Sequence, residues 1–117
     1  MNNNEIKKYI KNIDFSSVLT LTDLVNYQQG QVVSKTLSQN GKVSLTLFAF
    51  DKDEEISAHE SSGDAMIMVL DGTAKITIGN EQFVVNKGET IIMPSKTPHA
   101  VYGLEKFKMF LVVVFPE

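Results

Sequence analysis

Two stretches decide the fold of this chain: His59 to Gly72, which reads HESSGDAMIMVLDG, and Gly88 to His99, which reads GETIIMPSKTPH. Each stretch holds one of the two histidines of the sequence beside a short apolar run, with glycine or proline at the corners. Such runs, bounded by glycine and proline, are typical of β-strands joined by tight turns. The two stretches therefore predict neighbouring pieces of β-structure, each of which carries a histidine.

The same pattern extends to both sides of these stretches. Apolar and β-branched residues alternate between turn signals such as Asn40-Gly41 and Gly79-Asn80. Many short strands at such intervals indicate an all-β sandwich or barrel. The predicted strands are residues 31–37, 42–50, 56–59, 65–70, 73–78, 82–85, 90–93, 99–102 and 107–115.

The chain is predicted to form one domain overall, with residues 1–30 as an N-terminal arm and first strand region and residues 31–117 as the barrel. Between Phe15 and Val25 the apolar residues mix the helical and strand periods. We interpret this stretch as a strand entering a loop, although Thr22-Asp23 could cap one turn of helix.

Composition excludes several classes of protein. With 117 residues, of which 43% are hydrophobic, the chain is long enough for one domain with a real core. Its formal net charge of -3 gives no basic surface for nucleic acid. Because it has no cysteine, it cannot form disulfides or thiolate metal sites. No apolar run approaches the roughly 18 residues of a membrane span, so we expect a cytoplasmic protein that binds neither nucleic acid nor membrane.

Two of the predicted strands carry large apolar residues on both faces. In residues 42–50 aliphatic side chains alternate with serine, threonine and phenylalanine, and residues 107–115 are nearly all apolar. Both strands are therefore expected to be buried on both sides. Since large exposed apolar surfaces normally mark interfaces, we predict a homodimer in which Met66, Met68 or N-terminal residues cover an outer sheet face.

The first quoted stretch resembles the first motif of the cupin family, which runs Gly, five residues, His-x-His, three or four residues, Glu, six residues, Gly. His59 stands at the leading histidine and Gly72 at the closing glycine. Ser61 stands where the family has its second histidine, and Ala65 stands where it has glutamate. The resemblance to this motif is therefore partial.

The second stretch resembles the second cupin motif, which runs Gly, five residues, Pro-x-Gly, two residues, His, three residues, Asn. Gly88, Pro94 and His99 fall in register. Lys96 replaces the inner glycine, and Gly103 replaces the asparagine. The resemblance implies an all-β, single-domain cupin fold, an antiparallel barrel of the double-stranded β-helix or jelly-roll type, with a short N-terminal arm.

In metal-binding cupins three histidines and one glutamate hold the ion, so the resemblance implies that His59 and His99 are the metal ligands that remain. Alanine cannot ligate, and a serine hydroxyl is a poor ligand beside imidazole. Imidazole with water and oxygen donors would suit zinc, iron, manganese, nickel or copper without choosing among them. A histidine inside a barrel can also be a structural group that a backbone carbonyl or a buried water satisfies.

Two functions remain open. In the first, the barrel binds a small molecule through His59, Ser61 and His99, and Tyr102 shapes the pocket. The alternative is a metal-dependent enzyme of the dioxygenase or isomerase type, in which water or a nearby carboxylate completes the two-histidine site.

Glu60 and Asp64 are the nearby carboxylates. Glu60 should point away from His59 if the strand is regular, since adjacent side chains on a strand take opposite faces. Asp64 meets the same objection unless Gly63 permits a bulge. Metal-free cupin epimerases pair such an aspartate with a histidine, but they hold a nucleotide-sugar phosphate with basic residues, and the absence of arginine here disfavours that activity.

Overall fold

The structure, a computed structural model, describes residues 7–116, so the part of the predicted arm that precedes Lys7 lies outside the described residues. It contains one 3₁₀ turn, Leu21–Leu24, and nine β-strands. The nine strands predicted between residues 31 and 115 are confirmed, with ends that differ from the prediction by two residues at most. The strands are β1 Val32–Gln39, β2 Val43–Phe50, β3 Glu55–His59, β4 Asp64–Asp71, β5 Thr73–Ile78, β6 Glu81–Asn86, β7 Thr90–Met93, β8 His99–Gly103 and β9 Phe107–Val114.

Two antiparallel sheets face each other. The five-stranded sheet has the order β1-β2-β9-β4-β7, and the four-stranded sheet has the order β3-β8-β5-β6. Side chains that alternate inward from both sheets form the main core, in which the rings of Phe50 and Phe107 stack with centroids 4.4 Å apart. The architecture is the all-β barrel that the sequence predicts.

The chain crosses from one sheet to the other at Gly72. This residue has a φ of +74°, in the left-handed region that glycine enters without steric cost. A Cβ atom at this position would lie 1.8 Å from the carbonyl oxygen of Lys106. Only glycine fits the corner, because any larger residue would displace the backbone that leads into β9.

Residues 13–27 cover the outer face of the five-stranded sheet instead of adding a strand to it. The predicted strand between Phe15 and Val25 was therefore wrong, and the 3₁₀ turn Leu21–Leu24 takes its place. Five residues of this segment pack onto the outward side chains of β1, β2, β4 and β9: Ile13, Leu21, Leu24, Val25 and Tyr27. This second apolar cluster leaves Leu47 and Ala49 fully buried, which confirms that β2 is buried on both faces.

Polar contacts also fasten this segment. The Tyr27 hydroxyl donates a hydrogen bond of 2.6 Å to Oδ2 of Asp71. Lys108 donates from Nζ to the carbonyl oxygen of Thr22 at 2.6 Å, and its ammonium group lies 4.9 Å from the centroid of the Tyr27 ring. Burial, followed by the hydrogen bond to Asp71, raises the pKa of Tyr27 far above its usual value, so this phenol stays protonated.

The segment leaves part of the same outer face uncovered. Val114 at the end of β9 is 58% exposed and Ile92 on β7 is 56% exposed, so β9 is not buried on both faces along its whole length. Met66 and Met68 face outward beside them and are half-buried. Within residues 7–116, no helix has the length and apolar character needed to cross a membrane.

Candidate functional site

A cavity of about 440 Å³ lies between the two sheets. Aliphatic, methionine and phenylalanine side chains from both sheets form most of its wall. Six lining residues carry a polar or charged side chain: Ser44, His59, Glu60, Ser61, Ser62 and His99. The cavity is therefore an apolar space with a few polar groups on its wall, the usual composition of a small-molecule site.

A β-bulge in β3 brings the two histidines together. Ile56 pairs with Val101 and His59 pairs with His99, so β3 has one more residue than β8 between these two pairs. The extra residue reverses the alternation of side chains along β3, and His59 therefore faces inward with Ile56. The two imidazole rings lie edge to face, with centroids 4.4 Å apart.

Each imidazole is held by a backbone carbonyl two residues earlier in the chain. Nδ1 of His59 lies 3.1 Å from the oxygen of Ser57, and Nδ1 of His99 lies 3.2 Å from the oxygen of Thr97. A carbonyl oxygen can only accept, so Nδ1 carries a proton in both rings, and in the neutral form of the imidazole Nε2 is left as an acceptor.

The Nε2 atoms have no hydrogen-bond partner among residues 7–116. Among the half-buried and buried side chains of these residues, every nitrogen or oxygen atom that is inaccessible to solvent has a hydrogen-bond partner. Since His99 is only 4% exposed, its Nε2 must therefore reach the open space of the cavity. His59 is exposed and lies at the cavity opening.

The surroundings of His99 favour its neutral form. Burial lowers the pKa of this imidazole, and repulsion from His59 lowers it further, while the hydrogen bond to the Thr97 carbonyl opposes both effects. Glu60 is the only charged residue that lines the cavity within the described part of the chain, and no lysine lines it there. The cavity thus offers acceptors and one negative charge, with no fixed positive charge.

Ser61 and Glu60 both line the cavity, and the regular strand on which the expectation for Glu60 depended is not present at this residue. The strand ends at His59, so the alternation of a regular strand no longer applies to the next residue. The loop is held by the backbone N–H of Lys96, which donates to the carbonyl oxygen of Ser61 at 2.8 Å. The Ser61 hydroxyl accepts a 3.1 Å hydrogen bond from the Gly63 backbone N–H and keeps its own proton free to donate.

Tyr102 and Asp64 do not join the histidines. Tyr102 lies on the outward face of β8, where its hydroxyl donates to Oδ1 of Asp53 at 2.7 Å, so we leave it out of the site. Asp64 lies on the outward face of β4 and accepts a 2.9 Å hydrogen bond from the Ser95 backbone N–H. No bulge turns Asp64 inward, and it forms no pair with either histidine.

The donor set does not fit a resident divalent transition ion of the kind that the motif resemblance implies. Residues 7–116 bring no third His, Cys, Asp or Glu into a cluster with His59 and His99. Ala65 lines the cavity at the position of the motif glutamate and offers no ligand atom. Two neutral imidazoles are fewer protein ligands than such ions usually have, so we derive no chemistry from a bound metal.

Sequence reasoning missed two of the polar residues at the cavity, Ser44 and Ser62. Ser44 shares the inward face of β2 with Phe48, and the alternation along that strand could have found it. Ser62 lies in an irregular loop between β3 and β4, where no periodic signal exists. The methionines divide by strand position: Met93 and Met109 line the cavity, whereas Met66 and Met68 lie outside it.

Comparison with known proteins places this geometry in context. Residues 46–115 match the family described as Cupin domain. A conserved protein of unknown function from Streptococcus pyogenes has a crystal structure that is 47% identical in sequence, with a TM-score of 0.95, over 97% of this chain and 99% of that one. A cupin superfamily protein from Desulfitobacterium hafniense is 29% identical, with a TM-score of 0.87, over 92% and 98% of the two chains.

A curated relative is similar over a shorter stretch. An uncharacterized protein from Methanocaldococcus jannaschii is 40% identical over 43 residues, which are 37% of this chain. The match spans about a third of that relative's length, 34%.

Proposed function

This chain belongs to the cupin domain family, and we propose that it is a small-molecule-binding member whose ligand occupies the cavity around His59 and His99. One observation carries the proposal: a cavity of about 440 Å³ whose wall is mostly apolar and whose few polar groups include two imidazoles. Ligand pockets typically have volumes of about 300 to 1,000 Å³ and this same composition.

The wall of the cavity supports a preformed site. Three lining residues belong to the main core and are at most 2% exposed: Ala65, Ile67 and Met109. Interiors of this kind resist collapse because their side chains are already close-packed on the other sides. An apolar ligand would therefore gain buried contact area without first opening the barrel.

The methionines offer a test with a built-in control. Protein labelled with ¹³C at the methionine methyl groups would be titrated with 2-methoxynaphthalene, a compact uncharged probe, and followed by NMR. We expect saturable shifts of the Met93 and Met109 methyl signals, which line the cavity, and no shift of the Met66 and Met68 signals, which lie outside it. No saturable shift up to the solubility limit, or shifts confined to Met66 and Met68, would overturn the proposal.

Two variants of one strand make the test specific to the cavity. Ala65→Leu fills space at the wall, whereas Met68→Leu on the same strand changes an outward side chain of similar volume. We expect the first to weaken probe binding at least tenfold and the second to leave it unchanged. The methyl-shift titration of the unmodified protein decides the matter even if Ala65→Leu does not fold.

A further inference from the structure

We propose that the ligand of this cavity is an uncharged molecule with an apolar body and an O–H or N–H donor, which hydrogen-bonds to Nε2 of His59 and His99. The inference rests on the proposed function and names the chemical class of its ligand. Three observations support it: the Nδ1 atoms of both rings already donate hydrogen bonds, the cavity wall carries a negative charge, and the two rings do not hydrogen-bond to each other.

The ring atoms determine the direction of the hydrogen bond. Because the carbonyl oxygens of Ser57 and Thr97 receive the Nδ1 protons, the neutral form of each imidazole has no second proton to offer. Nε2 can then only accept. A ligand atom that binds there must bring its own hydrogen.

The two rings cannot satisfy each other. They lie edge to face at 4.4 Å between centroids, and a hydrogen bond between them would need a ring N–H that both have already donated elsewhere. Two acceptors thus stand side by side on one wall with no donor assigned to them. An acceptor that loses water without gaining a donor is costly, by roughly 1 to 3 kcal/mol, so a wholly apolar ligand would be penalised here.

Charge at the wall disfavours an anion. The lining holds the carboxylate of Glu60 and no lysine, and the serine hydroxyls are its only neutral donors among the described residues. A carboxylate or phosphate would leave water for a site that repels it and offers no cation. An uncharged head group with a donor matches the acceptors without this cost.

Three probes with the same naphthalene body and a different group at position 2 separate the possibilities: 2-naphthol carries a donor, 2-methoxynaphthalene has the donor replaced by an ether, and 2-naphthoate carries a negative charge. Binding would be measured by naphthalene fluorescence at about pH 8, where histidine is neutral. Because the chain has no tryptophan, the naphthalene ring can be excited without exciting the protein.

We expect 2-naphthol to bind about tenfold more tightly than the ether, the effect of one net hydrogen bond, and the naphthoate to bind most weakly. Equal binding of naphthol and ether would overturn donor recognition while leaving small-molecule binding intact. Tightest binding of the naphthoate would also overturn it. Binding of none of the three would contradict the proposed function itself.

Variants of the histidines connect the preference to Nε2. His59→Leu, at an exposed position, should reduce the preference for naphthol over the ether. His99→Gln keeps an acceptor in its carbonyl group and should retain part of the preference, whereas His99→Leu should lose it. Tyr102→Phe, on the outward face of β8, is the matched control and should change nothing. An unchanged preference in both His59→Leu and His99→Leu would contradict the assignment.

Discussion

His59 lies directly opposite His99 in the pairing of β3 with β8, and it does so because of the bulge that follows Ile56. In a regular strand Ala58 would occupy this position and the imidazole of His59 would point to solvent. The bulge therefore creates the pair. The properties that follow from the pair and from its supporting loops can be measured directly.

The pH dependence of stability should reveal the buried His99. Its pKa is lowered in the folded state by burial and by His59, so the unfolded chain binds this proton more readily. The stabilising contribution of neutral His99 is present above the unfolded pKa of about 6.5 and is lost as pH falls through the lower folded pKa. Urea unfolding between about pH 7.5 and 5.5 should show stability falling towards acid, by at most about 1.4 kcal/mol per pH unit for this proton. His99→Gln should have a shallower slope, and an identical slope would contradict the prediction.

Replacement of Lys96 by glycine should stabilise the fold. Lys96 has a φ of +60°, in the left-handed region, at the position where the second cupin motif has glycine. This conformation costs a residue with a side chain about 1 to 2 kcal/mol. Glycine removes this cost, but it loses more conformational entropy on folding, which offsets part of the gain. We expect Lys96→Gly to raise the free energy of unfolding by up to about 1 kcal/mol. Lys52→Gly, which relieves no positive φ, should lower it slightly, and a loss of stability in Lys96→Gly would contradict the argument.

The two tyrosine–aspartate hydrogen bonds should differ in strength. Tyr27 donates to Asp71 from a half-buried position at the end of the N-terminal segment, whereas Tyr102 donates to Asp53 at the surface. Tyr27→Phe should cost about 1 to 2 kcal/mol, because a hydrogen bond to a partly desolvated carboxylate is lost. Tyr102→Phe should cost less, because water can replace a hydrogen bond at the surface. Thermal unfolding of both variants measures the difference, and equal costs would show that burial of Tyr27 contributes nothing.

The uncovered outer face should hold a second copy of the chain. Met66, Met68, Ile92 and Val114 form an apolar surface that the N-terminal segment does not cover. We expect a homodimer in sedimentation at micromolar concentration, and Ile92→Glu should weaken it at least tenfold. Val84→Glu, at a 59% exposed position on the opposite sheet, is the control and should remain dimeric. A monodisperse wild-type monomer would refute this assignment.

Metal content should stay well below one equivalent in protein purified without a histidine tag. Two imidazoles without a third clustered ligand hold a divalent ion weakly. Elemental analysis of the wild type and of the His59→Ala, His99→Ala double variant should give the same low value. One equivalent in the wild type that disappears in the double variant would instead support the metal-dependent enzyme.

The sequence was sufficient for the fold because alternation and turn residues are local signals. The strands from β1 to β9 follow from the spacing of apolar residues between turn signals, which are glycine, proline or asparagine at most connections and the charged residues 51–54 between β2 and β3. The N-terminal segment was misread because its side chains pack on a sheet that is distant in sequence, and tertiary contacts override weak local periodicity. The sequence around Leu24 and Val25 does not distinguish a strand that pairs with its neighbours from an irregular segment that packs on the face of a sheet.

The site was predicted less completely than the fold, again for a physical reason. The motif spacing located His59, Ser61 and His99 at one cavity, and the structure brings all three to its wall. The bulge and the end of β3 at His59 removed the regular alternation on which the expectation for Glu60 depended, and neither feature has a sequence signature that a single chain reveals. Tyr102 was misplaced although alternation along β8 could have excluded it, because Tyr102 lies three residues after His99 and therefore on the opposite face of the strand.

The bulge has a consequence for association as well as for binding. β3 is an edge strand of its sheet, and a regular edge offers a row of unpaired backbone groups to which another strand can add. The extra residue between Ile56 and His59 interrupts that row and twists the strand. Removal of one residue here would therefore do more than turn His59 outward, because it would also leave a straight edge exposed to strand-by-strand aggregation.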